Sequence, residues 1–400
     1  MRRWVCVAVL VGGCHFGLKG VDAGSDGVTD GGLASDVDLA LMISPSDMGT
    51  FEPSHVPPGT LNGDAADLPP GITAIDTSAL TINGQPPPAG VQFVPVPNHN
   101  EWAVMTIGGW TVDQNVKVTG GRALIVVAAG KVDVAALIDG AADHLTAGPG
   151  ATLSGKGGDG LVSGDFDGGG GGAGFGTGGA AGGNATGAAG GTAGTSYGNT
   201  RTYFGGGSPG GFGGGAPDCL ANEMSKGRGG AGGGAIQLSS AVEVTIEATG
   251  GVNVSGGGGT GGCGSLASAG GGGGSGGIVF LEAPTVTVLG KLAANGGAGG
   301  GAGSGNGNND GKDGANGALS MMAATGGDPG AGGFLSSSNG GKGGDGATGV
   351  SGATRGQDQE NGGGSGGGAG RVWLRTPATA TPIIGGGAMM SPSPTIDASL

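Results

Sequence analysis

Valine and its branched relatives recur at every second position in short bursts along this chain. Each burst is too short for anything but a strand. Three stretches repeat the same order of bursts. The first reads Gly121-Arg122-Ala123-Leu124-Ile125-Val126-Val127, then Lys131-Val132-Asp133-Val134, then Leu137-Ile138-Asp139. The second reads Gly234-Ala235-Ile236-Gln237-Leu238, then Val242-Glu243-Val244-Thr245-Ile246, then Val252-Asn253-Val254. The third reads Gly277-Ile278-Val279-Phe280-Leu281, then Val286-Thr287-Val288, then Leu292-Ala293-Ala294. A fourth copy opens at Gly370 with Arg371-Val372-Trp373-Leu374. A weaker copy occupies 103–107, 110–112 and 116–118, and 79–83 with 91–94 reads as an earlier one. Alternation places every second side chain on one face of a strand. Three such strands with bends between them make one coil, which cannot bury its inner face alone; stacked coils can. The pattern predicts an all-β fold, a parallel β-helix-like stack of short-strand coils. The alternative is an antiparallel β-sandwich, which also uses many short strands. The connections within each unit read as corners and lack hairpin dipeptides, which favours the stack.

Between the units lie glycine-rich stretches, from about 148 to 233, 256 to 276 and 296 to 368. Glycine supplies 108 of the 400 residues, and only 12 % are charged. An ordinary soluble domain is about 7 % glycine and about a quarter charged. Insertions at one point of a repeat emerge on one face of the array. Freezing a glycine costs about 0.5–1 kcal/mol more than freezing an alanine. Ordered insertions therefore need a compensating interaction. Extended glycine helices with three residues per turn, packed side by side, would supply lateral hydrogen bonds. The alternative is a set of flexible linkers.

The first residues, MRRWVCVAVLVGGC, combine Arg2 and Arg3 with a short apolar run and a Val11-Gly12-Gly13-Cys14 box. The run is far shorter than the roughly 20 residues needed to span a bilayer. It reads as an export signal with lipidation at Cys14, and His15 after the cysteine points to the outer membrane or cell surface. The chain divides into a signal peptide (1–13), an acidic, Pro-rich tether (14–70), N-terminal coils (71–147) and a glycine-rich insertion (148–233). Further coils (234–297), a second long insertion (298–369) and a last strand with a Pro-rich tail (370–400) follow. With Cys6 in the signal and Cys14 acylated, Cys219 and Cys263 form an even pair in an oxidising compartment, which predicts a disulfide.

The net charge of −14 argues against nucleic acid as a partner, since binding it needs a basic surface. The chemistry-bearing motifs are weak. Gly340-Gly341-Lys342-Gly343-Gly344-Asp345-Gly346-Ala347 matches a calcium nonapeptide, and 154–161 nearly does, but neither is in tandem. GxGxxG matches follow from the glycine content and open no helix. Of His15, His55, His99 and His144, only His144 lies beside a repeat, next to Asp143. Lys131, Asp133, Asp139, Asp143 and Arg122 are candidates for one charged face of the kind used by polysaccharide-cleaving enzymes; a solvated face accounts for them equally. Trp102, Trp110, Tyr197, Tyr203 and Trp373 are the candidate platforms for sugar rings. No catalytic residue, metal site or cofactor is expected.

The GGAGG strings at 229–233 and 296–300 resemble the repeats of PGRS-type proteins. The string GGGGGSGGIVFLEAPTVTVLGKLAANGGAGG (270–300) and GGGSGGGAGRVWLRT near the C-terminus resemble glycine-rich surface lipoproteins of myxobacterial type. The resemblance covers roughly 72–376. Mycobacterial proteins of this kind carry an N-terminal helical PE domain, in whose place this chain has the lipoprotein-like signal. The resemblance implies class and location: a non-enzymatic, adhesin-like structural protein of the cell surface or matrix. Its partners would be the membrane, through the lipid anchor, and surface glycans or matrix. The alternative is a carbohydrate-binding or carbohydrate-cleaving protein on a β-helix scaffold.

Overall fold

The computed structural model describes residues 51–164, 166–215, 227–264, 268–304, 309–331 and 340–400. Among the described residues every regular element is a strand. The strands are β1 (Ala74–Asp76), β2 (Thr81–Ile82), β3 (Gln92–Val96), β4 (His99–Ile107), β5 (Trp110–Val112) and β6 (Val116–Thr119). Then come β7 (Ala123–Ala128), β8 (Val132–Val134), β9 (Leu137–Asp139), β10 (Val162–Ser163) and β11 (Phe166–Asp167). The later units are β12 (Ala235–Ser240), β13 (Glu243–Ile246) and β14 (Gly251–Asn253), then β15 (Ile278–Glu282), β16 (Thr285–Val288) and β17 (Lys291–Ala293). The chain closes with β18 (Arg371–Arg375), β19 (Ile383–Ile384), β20 (Met389–Ser391) and β21 (Thr395–Asp397).

Each unit contributes one strand to each of three sheets. First strands build β21-β18-β15-β12-β7-β4-β3, second strands β19-β16-β13-β8-β5, and third strands β20-β17-β14-β9-β6-β1-β2. Neighbouring units pair in parallel. Val132, Val244 and Val286 stand level in the second sheet, and all three are buried. Among the described residues, antiparallel strand pairs are confined to β1–β2, β3–β4 and β10–β11, besides isolated bridges such as Asp143–Thr146. This pairing sets aside the antiparallel sandwich. It also revises the earliest proposed repeat: β2 and β3 fold back as hairpins at the end of their sheets and do not start another parallel unit.

The alternation seen in the sequence sets the core. In β8, β13 and β16 the valines and isoleucines point inward while Asp133, Thr245 and Thr287 stay partly exposed. Inward residues of all three sheets merge into one apolar cluster, from Ile75 and Trp110 to Val372 and Leu374. Each fully buried aliphatic side chain contributes about 1.5–3 kcal/mol. The first sheet is apolar on its other face too, where Trp102, Val104, Ile125 and Phe280 join Phe175 and Phe204. Residues 51–61, expected as part of the 14–70 tether, lie over this second face, with Val56 and Leu61 packed against it. Leu68 enters the main core.

The insertions all leave after a third strand and return before the next first strand, at 140–234, 254–277 and 294–370. They form one bundle of extended segments joined by backbone hydrogen bonds that repeat every third residue. In 268–277, Gly270, Gly273 and Gly276 donate to Gly362, Ser365 and Gly368. Gly271, Gly274 and Gly277 donate to Thr260, Gly257 and Val254, and Ala269, Gly272 and Ser275 donate to Gly214, Gly211 and Ser208. Carbonyls of the same segment accept from 170–173, 227–233 and 297–303. Partners that recur at i+3 in three directions are the signature of an extended helix with three residues per turn. This segment is thus ringed by six others, and apart from the small, buried Ser268, Ala269 and Ser275 its positions are glycine. A Cβ on Gly272 would lie 2.1 Å from the Gly171 carbonyl oxygen, and one on Gly273 2.1 Å from that of Gly297.

Segments at the rim of the bundle keep glycine only where they face inward. In 309–317, Gly311, Gly314 and Gly317 donate to Gly262, Gly259 and Gly256. Asp310, Asp313 and Asn316 alternate with them and accept from the N–H groups of Gly264, Gly261 and Gly258 at 2.7–2.8 Å. Side-chain oxygens thus take the place of a further backbone at the rim.

Candidate functional site

The outward face of the first sheet carries a polar socket in an otherwise apolar surface. Cross-strand register lines up Ser239, Glu282, Arg375 and Asp397 on β12, β15, β18 and β21. Glu282 is wholly buried. Its carboxylate accepts from Ser239 Oγ at 2.7 Å, Gln237 Nε2 at 2.9 Å and Arg375 at 2.9 Å. Ser54 on the overlying segment adds its N–H at 2.7 Å and its Oγ at 2.8 Å. A buried carboxylate needs this many donors to offset its desolvation. Arg375 also donates to the Ser399 carbonyl at 2.8 Å, and Arg201 pairs with Asp397 at 3.4 Å.

His55, next to Ser54, fits among aromatic rings. Phe204 stacks on it at 5.0 Å, with Phe280 and Trp102 edge-on at 5.2 and 5.6 Å. Its Nδ1 lies 2.6 Å from Gln237 Oε1 and its Nε2 2.6 Å from the Arg201 carbonyl. Burial among these groups holds its pKa below the ordinary imidazole value. His99 stacks on Trp102 at 4.1 Å, and Trp102 Nε1 donates to the Phe204 carbonyl. Between this segment, the β3–β4 turn and Arg201 lies a cavity of about 630 Å³, lined by His55, Pro57, Pro97, His99 and Trp102.

Of the candidate sugar platforms, Trp102, Tyr197, Tyr203 and Trp373 gather in or against this aromatic cluster. Trp110 belongs to the inner core instead. The candidate charged face is dispersed. Lys131 pairs with Glu243, Asp139 with Lys117, and Arg122 donates to the carbonyls of Asn100, Thr77 and Ser78. Asp143 accepts from Asn316, whose side chain also holds the His144 N–H. The two calcium-like strings are rim segments of the bundle, where Lys156 pairs with Asp159 and Lys342 with Asp328. Among the described residues no three His, Cys, Asp or Glu side chains group as metal ligands. Cys14 and Cys219 lie outside the described residues. Cys263 ends the 254–262 segment, its N–H donating to Ser268 Oγ at 2.7 Å.

Compared with known proteins, the chain matches no family model, no curated protein and no solved structure. Among the described residues no helix is long and apolar enough to cross a membrane. The socket escaped the sequence reading, although its signal is present. Aligning the repeats at their opening glycines puts Ser239, Glu282 and Arg375 at one register position, five residues on. Ser54 and His55 carry no such signal, because they lie outside the repeat.

Proposed function

We propose that this is a non-enzymatic, glycine-rich structural or adhesin-like protein of the cell surface or matrix, anchored through acylated Cys14. The observation that supports it most is how the buried polar groups are used. The Glu282 carboxylate takes up donors from Arg375, Gln237 and Ser239 and holds the Ser54 segment, which leaves these groups committed to structure. The glycine bundle likewise spends its inner backbone groups on itself and turns capped, polar edges outward. Such a body suits display on a tether better than turnover of a substrate. Mass spectrometry of the mature protein should show a diacyl- or triacylglyceryl group on an N-terminal Cys14, and surface proteolysis of intact cells should remove the bundle. A mature chain starting elsewhere, or a protein inaccessible from outside, would refute the reading.

Two finer readings accompany it. The three sheets wind as a β-helix, each coil taking one strand from each sheet, as the shared strand order suggests. Cys219 and Cys263 form a disulfide, which would lower unfolded-chain entropy by roughly 4 kcal/mol in the chain-entropy model. Non-reducing peptide mapping that recovers both as free thiols would remove the second.

A carbohydrate-binding role is the alternative, favoured by the gathering of Tyr197, Tyr203 and Trp373 against the outer-face aromatic cluster, of which Trp102 also lines the cavity. A glycan array on the full chain tests it. Binding lost in Trp373→Ala and Tyr203→Ala would support it, and an array without binding would set it aside.

A further inference from the structure

The far end of the glycine bundle holds a buried aspartate with no cation partner among the described residues. Asp167 closes β11 where the 168–176 segment begins, and only 4 % of it is exposed. Its N–H donates to Asn361 Oδ1 at 3.1 Å, and its carbonyl accepts from the Gly362 N–H at 2.8 Å. Asn361 is wholly buried. Yet Asp167 Oδ1 and Asn361 Nδ2 both lack a hydrogen-bond partner. The other carboxylate oxygen lies beside Gly215, 3.3 Å from where a Cβ on that glycine would sit.

Among the described residues no cation pairs with this carboxyl. Among the described residues, the ionisable side chains on nearby segments of the bundle include Lys156, Asp159, Arg228, Lys342, Asp345, Arg355 and Asp358. Lys156 is paired with Asp159, Lys342 with Asp328 and Arg355 with Asp358. An ionised carboxylate in such a place carries a desolvation cost that a neutral carboxyl avoids.

We propose that Asp167, with Asn361, is a proton-controlled fastener at the far end of the bundle. The neutral carboxyl is accommodated between the ends of the 168–176, 205–215 and 361–370 segments, and its ionisation loosens that end. Burial supports this by raising the Asp167 pKa to about 6. A folded-state value above that of an unfolded-chain aspartate means that folding favours the protonated form. That contribution is complete in acid and is lost as the pH rises through about 6. The far end is thus tight in mildly acidic surroundings and looser at neutral pH, while the end joined to the sheets does not change. The inference does not depend on the surface-protein reading.

Nuclear magnetic resonance on the labelled full chain tests it. The Asp167 carboxyl carbon should titrate with a midpoint near 6, where an ordinary aspartate titrates near 4. Between pH 5 and 7.5, exchange of the Asp167, Gly168, Gly214 and Gly362 amides should rise about tenfold beyond the intrinsic pH effect. The Gly276 and Gly277 amides, beside the sheets, should not. Asp167→Asn should abolish that rise, and the exposed control Asp159→Asn should keep it. A midpoint near 4, or far-end exchange without the extra rise, would overturn the proposal. So would an unchanged rise in Asp167→Asn. If that variant does not fold, the titration of the unaltered protein still decides.

Discussion

Gly272 shows what a single residue carries in this molecule. A methyl group there would lie 2.1 Å from the Gly171 carbonyl oxygen, a contact that backbone on both sides prevents from relaxing. Gly272→Ala should therefore destabilise the protein by at least the ~1–3 kcal/mol typical of overpacking. Gly352 is the control, because a methyl group there would meet nothing within 4 Å, and Gly352→Ala should be neutral or slightly stabilising. Urea titrations of the two variants check both values; equal effects would contradict the close packing. Glu282 makes a second residue-scale case. Removing its carboxylate strands Arg375, whose side chain is 11 % exposed, beside Ser54 and a buried Gln237. Glu282→Ala should cost about 3–5 kcal/mol, as breaking one side of a buried ion pair does. A melting temperature within a degree or two of the unaltered protein would show that the socket is not structural.

At the scale of elements, the two kinds of segment solve the same problem in different ways. A strand in the sheets pairs along two sides and fills the other two with side chains. An inner segment of the glycine bundle pairs in three donor and three acceptor directions, which leaves space only for hydrogen or the smallest side chains. Each lateral hydrogen bond contributes about 0.5–1.5 kcal/mol net, close to the extra ordering cost of one glycine. The bundle is therefore stable only where nearly all its bonds are made together. This makes the rim decisive. Asp313 accepts the Gly261 N–H that would otherwise face solvent and offer an edge to another chain. In Asp313→Ala, amide exchange at Gly261 should speed up by about tenfold or more, reflecting a lost bond of about 1.5–3 kcal/mol to a charged group. Exchange at Gly272, deep in the bundle, should not change. An unaltered Gly261 rate would show that the side-chain cap contributes nothing.

At the scale of the whole molecule, the sheets and the bundle were not equally legible from the sequence. Alternation of Val or Ile in 132–134, 244–246 and 286–288 identifies inward faces and even the register between units, because side chains carry that information. The strands β19, β20 and β21 escaped notice because Pro and Gly flank them and little alternation marks them. The bundle's location at one corner follows from where the insertions begin and end. Its neighbour relations do not follow, since a glycine run looks the same to every partner and only the folded backbone distinguishes Gly362 from Gly257. The rim is an exception: the three-residue spacing of Asp310, Asp313 and Asn316 against Gly311, Gly314 and Gly317 can be read directly. The overlying segment around Ser54 and His55 depends on contacts more than 180 residues away in sequence, as with Gln237 and Glu282. No local pattern encodes such contacts.

The claim on which the rest depends is that the glycine-rich insertions form one ordered, laterally hydrogen-bonded bundle. Amide hydrogen exchange over 268–277 tests it most directly, because every N–H in that segment has a backbone acceptor. The bundle requires continuous protection from Ala269 to Gly277, at rates comparable to those of the β12 and β15 strands beside it. Exchange at the rate of an unstructured chain across that segment, with β12 and β15 still protected, would contradict it.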